Sequence, residues 1–434
     1  MTSTVKWLQR LFSRCPNLDR FRRSFTKPGI KFPISLPTSG WKIIRSEIVE
    51  EEHMEAFADG HYFPVALGDI LPSRLQIVGK LGWGVTSTVW LVRDLKAEDY
   101  MVLKIFARDV DGRKESVVYD LLADTNRQHL GSDLVRTKIA AVTIPRPDGE
   151  DHFALLQAPL WETLRDLQER MVDQRLDQST LKLVLYQVLL ALDYLHTECK
   201  LIHTDIKGDN IFLELEDKSM LDRYVQAEIE NPSPRKIIDG KTVYRSRLLE
   251  PASNLRGIEL GDFGSAVPGD IPRNGEFIQP SIYRAPEVML EKAWNYPVDI
   301  WNLAVWAWND FQGEPLFKVI EPESGNELYS TDAHLAQITG LLGSPPSDFV
   351  EPDTISTDYF DQDGNWIHES CKVQKVALED VENRLEGEEK EMFLDLMKGM
   401  LQWRPEDRKT ARELLEHPWL QGVCWPPGCY KPAT

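Results

Sequence analysis

The strongest constraint on the fold is a change of hydrophobic period part-way along the chain. Three early runs, LQIVGKL from Leu75, TSTVWLV from Thr86 and YMVLKIF from Tyr100, are rich in β-branched and aromatic residues and are separated by turn signals. After Pro159 the period becomes helical. In STLKLVLYQVLLALDYLHTE the residues Leu181, Leu185, Val188, Leu192 and Leu195 share one face, and Ser179 or Thr180 is placed to cap the helix. Strands first and helices after predict an α+β class with two lobes, one small and β-rich, the other larger and helical. The divisions expected are a basic tail over 1–60, a sheet lobe over 61–158, a helical lobe over 159–420 and a C-terminal tail over 421–434. Between NIFLEL and GIELGDFG lies an insertion, about 214–256, whose NPSPRKIIDGK turn signals read as surface.

Charge is unevenly distributed. Residues 1–40 hold eight bases against one acid, a net of +7, which leaves −26 for the remainder of a chain whose total is −19. A body so acidic repels nucleic-acid phosphates and steers basic partners toward itself, although acidity also simply aids solubility. The Arg- and Ser-rich start, with VKWLQRLFSR able to form a short amphipathic helix, fits either a transit peptide or a plain basic tail. No apolar run is long enough to span a bilayer. Five scattered cysteines argue for a reducing compartment, and the nearby pair Cys424 and Cys429 lacks the second ligand pair of a zinc site.

Several short motifs carry chemistry. LGWGVTSTVW sets Gly82 and Gly84 at the first two places of G-x-G-x-x-G, with Ser87 at the third. A dinucleotide-binding unit needs a helix next, but TSTVWLV reads as a strand. Strand–turn–strand instead makes a lid whose missing side chains let backbone N–H groups approach ATP phosphates, with Leu81 beside the turn and Val89 over the adenine face. Lys104, inside an apolar strand, would alone be read as a lysine reaching out to solvent. After such a lid it is better read as the cation for the α- and β-phosphates, and it needs a carboxylate from the next helix. Helix phase favours Glu115 for that role, with Asp120 the alternative. In HFALLQAPL the base would be read by the Ala158 carbonyl and the Leu160 amide, because Pro159 has no donor, with Gln157 at the gate to the pocket. In LIHTDIKGDN, Asp205 is placed to take a hydroxyl proton, Lys207 to neutralise charge on a moving phosphoryl group and Asn210 to bind Mg²⁺. GDFG supplies Asp262 for a second Mg²⁺, with Phe263 packing behind it. YRAPEVML supplies Glu287 to pair with Arg408, Asp299 is placed to hold the loop backbone, and His203 to pack behind it.

From about Tyr62 to Leu420 the chain resembles the eukaryotic protein kinases, and within them the SR-protein kinases, which phosphorylate serines in Arg/Ser-rich splicing factors. The resemblance is carried by YFPVALGDIL, GKLGWGVTSTVWLV, LIHTDIKGDNI, IQPSIYRAPEV and the run from EPLF to LLGSPP. It implies a bilobal kinase fold, use of ATP and Mg²⁺, and transfer to Ser or Thr of basic protein substrates. In that family threonine is usual at the place of Thr204, where other kinases carry an arginine that holds a phosphorylated activation segment. The resemblance therefore implies activity without that phosphate. It also implies a monomer of cytoplasm and nucleus, with mitochondrial import the alternative that the basic start offers, and no direct contact with nucleic acid or membrane. The chain departs from the family in Phe263, where leucine is usual, and in the short insertion. It also keeps only part of an acidic docking groove, in Glu321, Glu323, Glu327 and Asp332. The competing reading is a pseudokinase scaffold that binds basic partners, against which stands the full set Lys104, Asp205, Asn210 and Asp262.

Overall fold

The computed structural model describes residues 32–71, 74–146, 149–171, 173–252, 255–271, 273–321, 328–352, 354–369 and 371–423. Most of the basic start, the pair Cys424 and Cys429, and Glu323 and Glu327 lie outside the described residues. The chain divides into two compact units. One holds the residues up to Asp124 with Thr137–Glu162 and Leu213–Arg256, the other Thr125–Arg136, Thr163–Phe212 and everything from Gly257 on.

The first unit is built on a six-stranded antiparallel sheet. Its strands are β1 (Ile70–Leu71), β2 (Leu75–Trp83), β3 (Ser87–Asp94), β4 (Asp99–Phe106), β5 (Lys138–Ile144) and β6 (His152–Gln157), in the order β1-β2-β3-β4-β6-β5. The expected runs form β2, β3 and β4. Period-two alternation sends Trp90, Leu103, Ile105, Ala154 and Leu156 to one face, where they join Ile77 and Tyr244 in a buried core. Val89, Lys104 and Leu155 are direct cross-strand neighbours, so they share the opposite face. Helix α1 (Arg113–Asp124) belongs to this unit.

Two expectations need correction here. The insertion belongs to the sheet unit and not to the helical one, and although many of its residues are exposed it does not lie wholly on the surface. It satisfies its own backbone as a helix, Ser219–Glu230, and a hairpin pairing Arg235–Ile238 with Lys241–Tyr244, and it buries Tyr224, Val243 and Tyr244 against the sheet unit. Tyr224 takes the space beside Gly79, where any Cβ would lie 2.4 Å from its ring. The segment from Ile44 to His61 is likewise no tail: Ile44 and Val49 form a small core with Val243. Lys80 explains much of this, for its side chain is 1% exposed and its ammonium is bound by Glu50, Glu51 and the Tyr244 carbonyl, so that segments far apart in sequence converge on one buried charge.

The second unit is helical. Helix α2 (Gln178–Tyr194) starts where the period predicts, but the cap is Asp177, whose carboxylate accepts from the amides of Ser179 and Thr180. Ser179 and Thr180 instead supply the orphan donors. Helix α3 (Pro297–Gln312) opens with proline at its first turn and ends at Gly313, whose φ of 73° needs a residue without Cβ. It is buried nearly all round, Trp301, Trp306 and Trp308 included, so it runs through the core of its unit. Helices α4 (Thr331–Leu342) and α5 (Gly387–Met400) pack in the same unit.

Candidate active site

The sheet unit contributes a cation and a glycine turn. Lys104 Nζ lies 2.8 Å from Glu115 Oε2, and the Tyr119 hydroxyl donates to Glu115 Oε1 at 3.1 Å. Glu115 is buried whereas the ammonium keeps 12% exposure, so the carboxylate is fixed and the cation remains reachable. Asp120, the alternative partner, is instead bound to Lys138 at 2.7 Å. The turn between β2 and β3 closes through Gly84 N–H to Ser87 O at 2.8 Å. At Gly82 and Gly84 φ is not positive, and an added Cβ would meet no atom within 4 Å. Nothing in the chain itself therefore requires glycine at either place. What those positions spare is the approach of something outside the chain, and a phosphate at backbone N–H groups is such a thing. Leu81 is half-buried beside the turn, as is Val89 on the face of Lys104. Beyond β6, neither the Ala158 carbonyl nor the Leu160 amide has a partner among the described residues, which leaves one acceptor and one donor for a base. These groups fit ATP.

The helical unit contributes the loop over 201–210. Its backbone is pinned from beneath by α3. Asp299, fully buried, accepts from the amides of His203 and Thr204 at 2.8 Å each and from His196 at 2.9 Å, and Asn302 brackets Ile206 through both its amide ends. His203 is buried, contacts the Gly261 carbonyl at 3.0 Å and lies against the Phe263 ring. On this base Lys207 Nζ reaches Asp205 Oδ2 at 2.9 Å, and Asn210 Nδ2 reaches the same oxygen at 2.9 Å. Both donors orient one carboxylate, which keeps 21% exposure. Asp262 sits at φ 56°, ψ 72°, a left-handed conformation that costs a residue with Cβ roughly 1–3 kcal/mol and that tends to mark functional sites. Asn210 and Asp262, an amide oxygen and a carboxylate in the same unit, are hard oxygen donors suited to Mg²⁺.

Thr204, also left-handed at φ 69°, donates its hydroxyl to the Ser265 carbonyl at 3.0 Å. The segment that follows is tied by uncharged or internal contacts. Val267 and Pro268 pair with Ile202 and Leu201, Gln279 bonds the Val298 carbonyl and the Ala285 amide, and Arg284 bonds the Ile278 carbonyl. Its end is fixed by Glu287 and Arg408, fully buried and bidentate at 2.6 and 2.7 Å. Asn302, Gln279 and Tyr119 were not singled out from the sequence; each is a buried or half-buried polar residue within a motif that had been read for its neighbours. Of the acidic docking residues, Glu321 lies in a two-residue strand pairing with Leu328–Tyr329. Asp332 accepts from the Tyr359 hydroxyl at 3.1 Å and approaches His368 at 3.9 Å.

A loop carboxylate flanked by lysine and asparagine, a lysine held by a helix glutamate and a glycine turn together define a phosphotransferase of the protein kinase class. The protein kinase domain family matches residues 75–420, and the chain belongs to it. A serine/threonine protein kinase of Aspergillus fumigatus is 40% identical over 408 residues, covering 93% of this chain and 98% of the relative. The serine/threonine-protein kinase SRPK of Physarum polycephalum is 29% identical over 396 residues, covering 86% and 92%. SRSF protein kinase 3 of Homo sapiens is 25% identical over 526 residues, covering 87% and 92%. A crystal structure of a kinase domain superposes with a TM-score of 0.64 at 22% identity, covering 84% of this chain and all of that one, and shares the bilobal α+β fold. The protein is a serine/threonine protein kinase with SR-protein-kinase-like relatives.

Proposed function

We propose that this kinase transfers the γ-phosphoryl group of ATP to Ser or Thr of basic, Arg/Ser-rich proteins, and that it does so without a phosphate on its activation segment. The observation that carries the catalytic part is the Asp205 carboxylate, oriented by two donors on a loop that buried Asp299 holds in place. ATP with Mg²⁺ supplies the phosphoryl group and screens its charge. Asp205 orients the substrate hydroxyl and accepts its proton, Lys207 faces the developing negative charge, and Lys104, fixed by Glu115, binds the phosphates. Asn210 and Asp262 would hold the metal.

Independence of activation-segment phosphate is supported by the contacts of that segment. Thr204 offers a hydroxyl where a phosphate-binding arginine would stand, and strand pairing, Gln279 and Glu287–Arg408 already fix the segment. Basic substrates are supported by the −26 charge outside the basic start of a chain totalling −19, and by the names of relatives such as SRSF protein kinase 3. The test is incubation of bacterially made protein, with and without phosphatase treatment, with labelled ATP and either an Arg/Ser peptide or a generic basic protein. Preferential labelling of the Arg/Ser peptide, equal in both preparations, is expected. Loss of activity on dephosphorylation rejects the independence, and equal labelling of both substrates rejects the substrate class. For location we propose cytoplasm and nucleus for a monomer. A reporter fused to residues 1–40 that enters mitochondria would reject this. Among the described residues no helix is long and apolar enough to cross a membrane.

A further inference from the structure

Tyr62 lies ahead of the sheet, yet its hydroxyl reaches the glycine turn, 2.9 Å from the Gly84 carbonyl oxygen and 3.0 Å from that of Val85. We propose that Tyr62 is a positioning residue that locks two peptide planes of the turn so that the amides of Val85 and Thr86 face the nucleotide phosphates. This rests on the reading that the turn binds ATP.

The geometry is that of a trans peptide, in which C=O and N–H point in opposite directions. With the Gly84 carbonyl drawn toward Tyr62, the Val85 N–H must point away from it. With the Val85 carbonyl drawn the same way, the Thr86 N–H does too. Among the described residues neither amide has a partner, and Val85 is 70% exposed at the tip. The backbone pair Gly84 N–H to Ser87 O at 2.8 Å and Ser87 N–H to Gly84 O at 3.4 Å closes the base of the turn. The second bond is long, and the Val85–Thr86 peptide at the tip has no backbone partner among the described residues, so its orientations would otherwise have to be frozen out when an anion binds. One hydroxyl shared by two carbonyls removes much of that freedom beforehand.

Tyr62 can do this because its own position is fixed. It is 7% exposed, and the neighbouring His61 carbonyl accepts from the Arg108 amide at 2.9 Å, at the end of β4. Upstream, Glu50 and Glu51 hold Lys80 of β2, and the His53 ring stacks on Trp83 at 6.3 Å. The segment before the sheet thus grips the second half of β2, at Lys80 and Trp83, and the turn at Gly84 and Val85.

Tyr62→Phe removes one hydroxyl and leaves the ring. Calorimetry should show ATP and ADP bound about 3–10-fold more weakly, because the tip of the turn must then be ordered on binding at a cost up to about that of one hydrogen bond. Adenosine affinity should be nearly unchanged and the melting temperature lowered by no more than the loss of that one internal bond. Adenosine separates the roles, since it fills the base site but has no phosphate for the turn. Weakening of adenosine by the same factor, or unchanged ATP affinity, overturns the proposal. A second measurement needs no variant: in the wild type, ATP but not adenosine should slow hydrogen exchange at Val85 and Thr86, and no slowing overturns it. Failure of the wild type to bind ATP at all would overturn the nucleotide reading first, and is seen before any variant is compared.

Discussion

Two of the acid–base pairs in the helical unit, Glu287–Arg408 and Asp205–Lys207, have similar composition and opposite setting. Glu287 and Arg408 are both 0% exposed, doubly bonded and sealed in the interior. Asp205 and Lys207 keep 21% and 33% exposure on a loop. A sealed pair cannot meet a substrate. Its worth is to fix the end of a segment, and the cost of desolvating both charges is returned only while both are present. A half-open pair gives up stability that closer packing would bring and keeps a carboxylate where a proton can reach it. Burial therefore separates the structural pair from the chemical one where residue type does not.

The largest effect expected falls on the open pair. Asp205→Asn should lower kcat by about 10²–10⁴-fold, the usual worth of a positioned base, while ATP affinity and melting temperature stay near wild type. Steady-state kinetics beside calorimetry checks this, and a variant that turned over at near wild-type rate would remove Asp205 from the mechanism. The sealed pair should show the reverse order of damage. Arg408→Ala leaves Glu287 charged and unpaired in the core and should cost about 3–5 kcal/mol of stability, read from urea unfolding, with activity lost only as the fold is lost. If Arg408→Ala unfolded at the wild-type midpoint, the distinction between the pairs would fail.

The cluster around Asp205 was legible because Asp205, Lys207 and Asn210 sit within ten residues, LIHTDIKGDN, and so was the pair Lys104–Glu115, because the glycine turn before Lys104 called for a carboxylate from the next helix and phase favoured Glu115. What escaped was long-range. Lys80 sits in an equally apolar strand, but its carboxylates come from Glu50 and Glu51, and Tyr224 and Tyr244 reach the sheet from an insertion whose turn signals read as surface. Turn signals report local backbone and not what a hairpin buries. The cap of α2, expected at Ser179 or Thr180, was misplaced by two or three residues for a related reason. Asp, Ser and Thr all cap well, and only the observed bonds choose Asp177 among them.

The exposure of another carboxylate of the same unit lies between these two. Asp310 of α3 is 6% exposed, and its Oδ2 has no hydrogen-bond partner among the described residues. Burial pushes its carboxyl up to about 7; Arg165 opposes the rise and Asp209 adds to it. The folded form thus holds a proton that the unfolded chain gives up near pH 4. The resulting stability is full below that pH and is lost as pH rises through about 7. Between pH 5 and 8 the decline should amount to roughly 2–3 kcal/mol. Asp310→Asn, neutral throughout, should flatten it. Unfolding midpoints at pH 5, 6, 7 and 8 for both proteins decide the matter, and parallel curves would mean that Asp310 is ionised across the whole range.

The smallest effect belongs to the charges read as a docking groove, of which Asp332 keeps 35% exposure. Exposed ion pairs contribute only about 0–1 kcal/mol each, so Glu327→Gln with Asp332→Asn should raise KM for an Arg-rich peptide by a few-fold at most and leave kcat unchanged. Asparagine is the right replacement at Asp332, because it removes the charge but can still accept from the Tyr359 hydroxyl. A lysine there would confuse lost attraction with a disturbed Tyr359. The effect should be largest at low salt and vanish near 1 M, where the Debye length falls to about 3 Å. A KM equal to wild type at low salt would make these acids a solvated face. Substrate choice would then have to come from groups nearer the open pair, where each contact is less screened and a single substitution costs more.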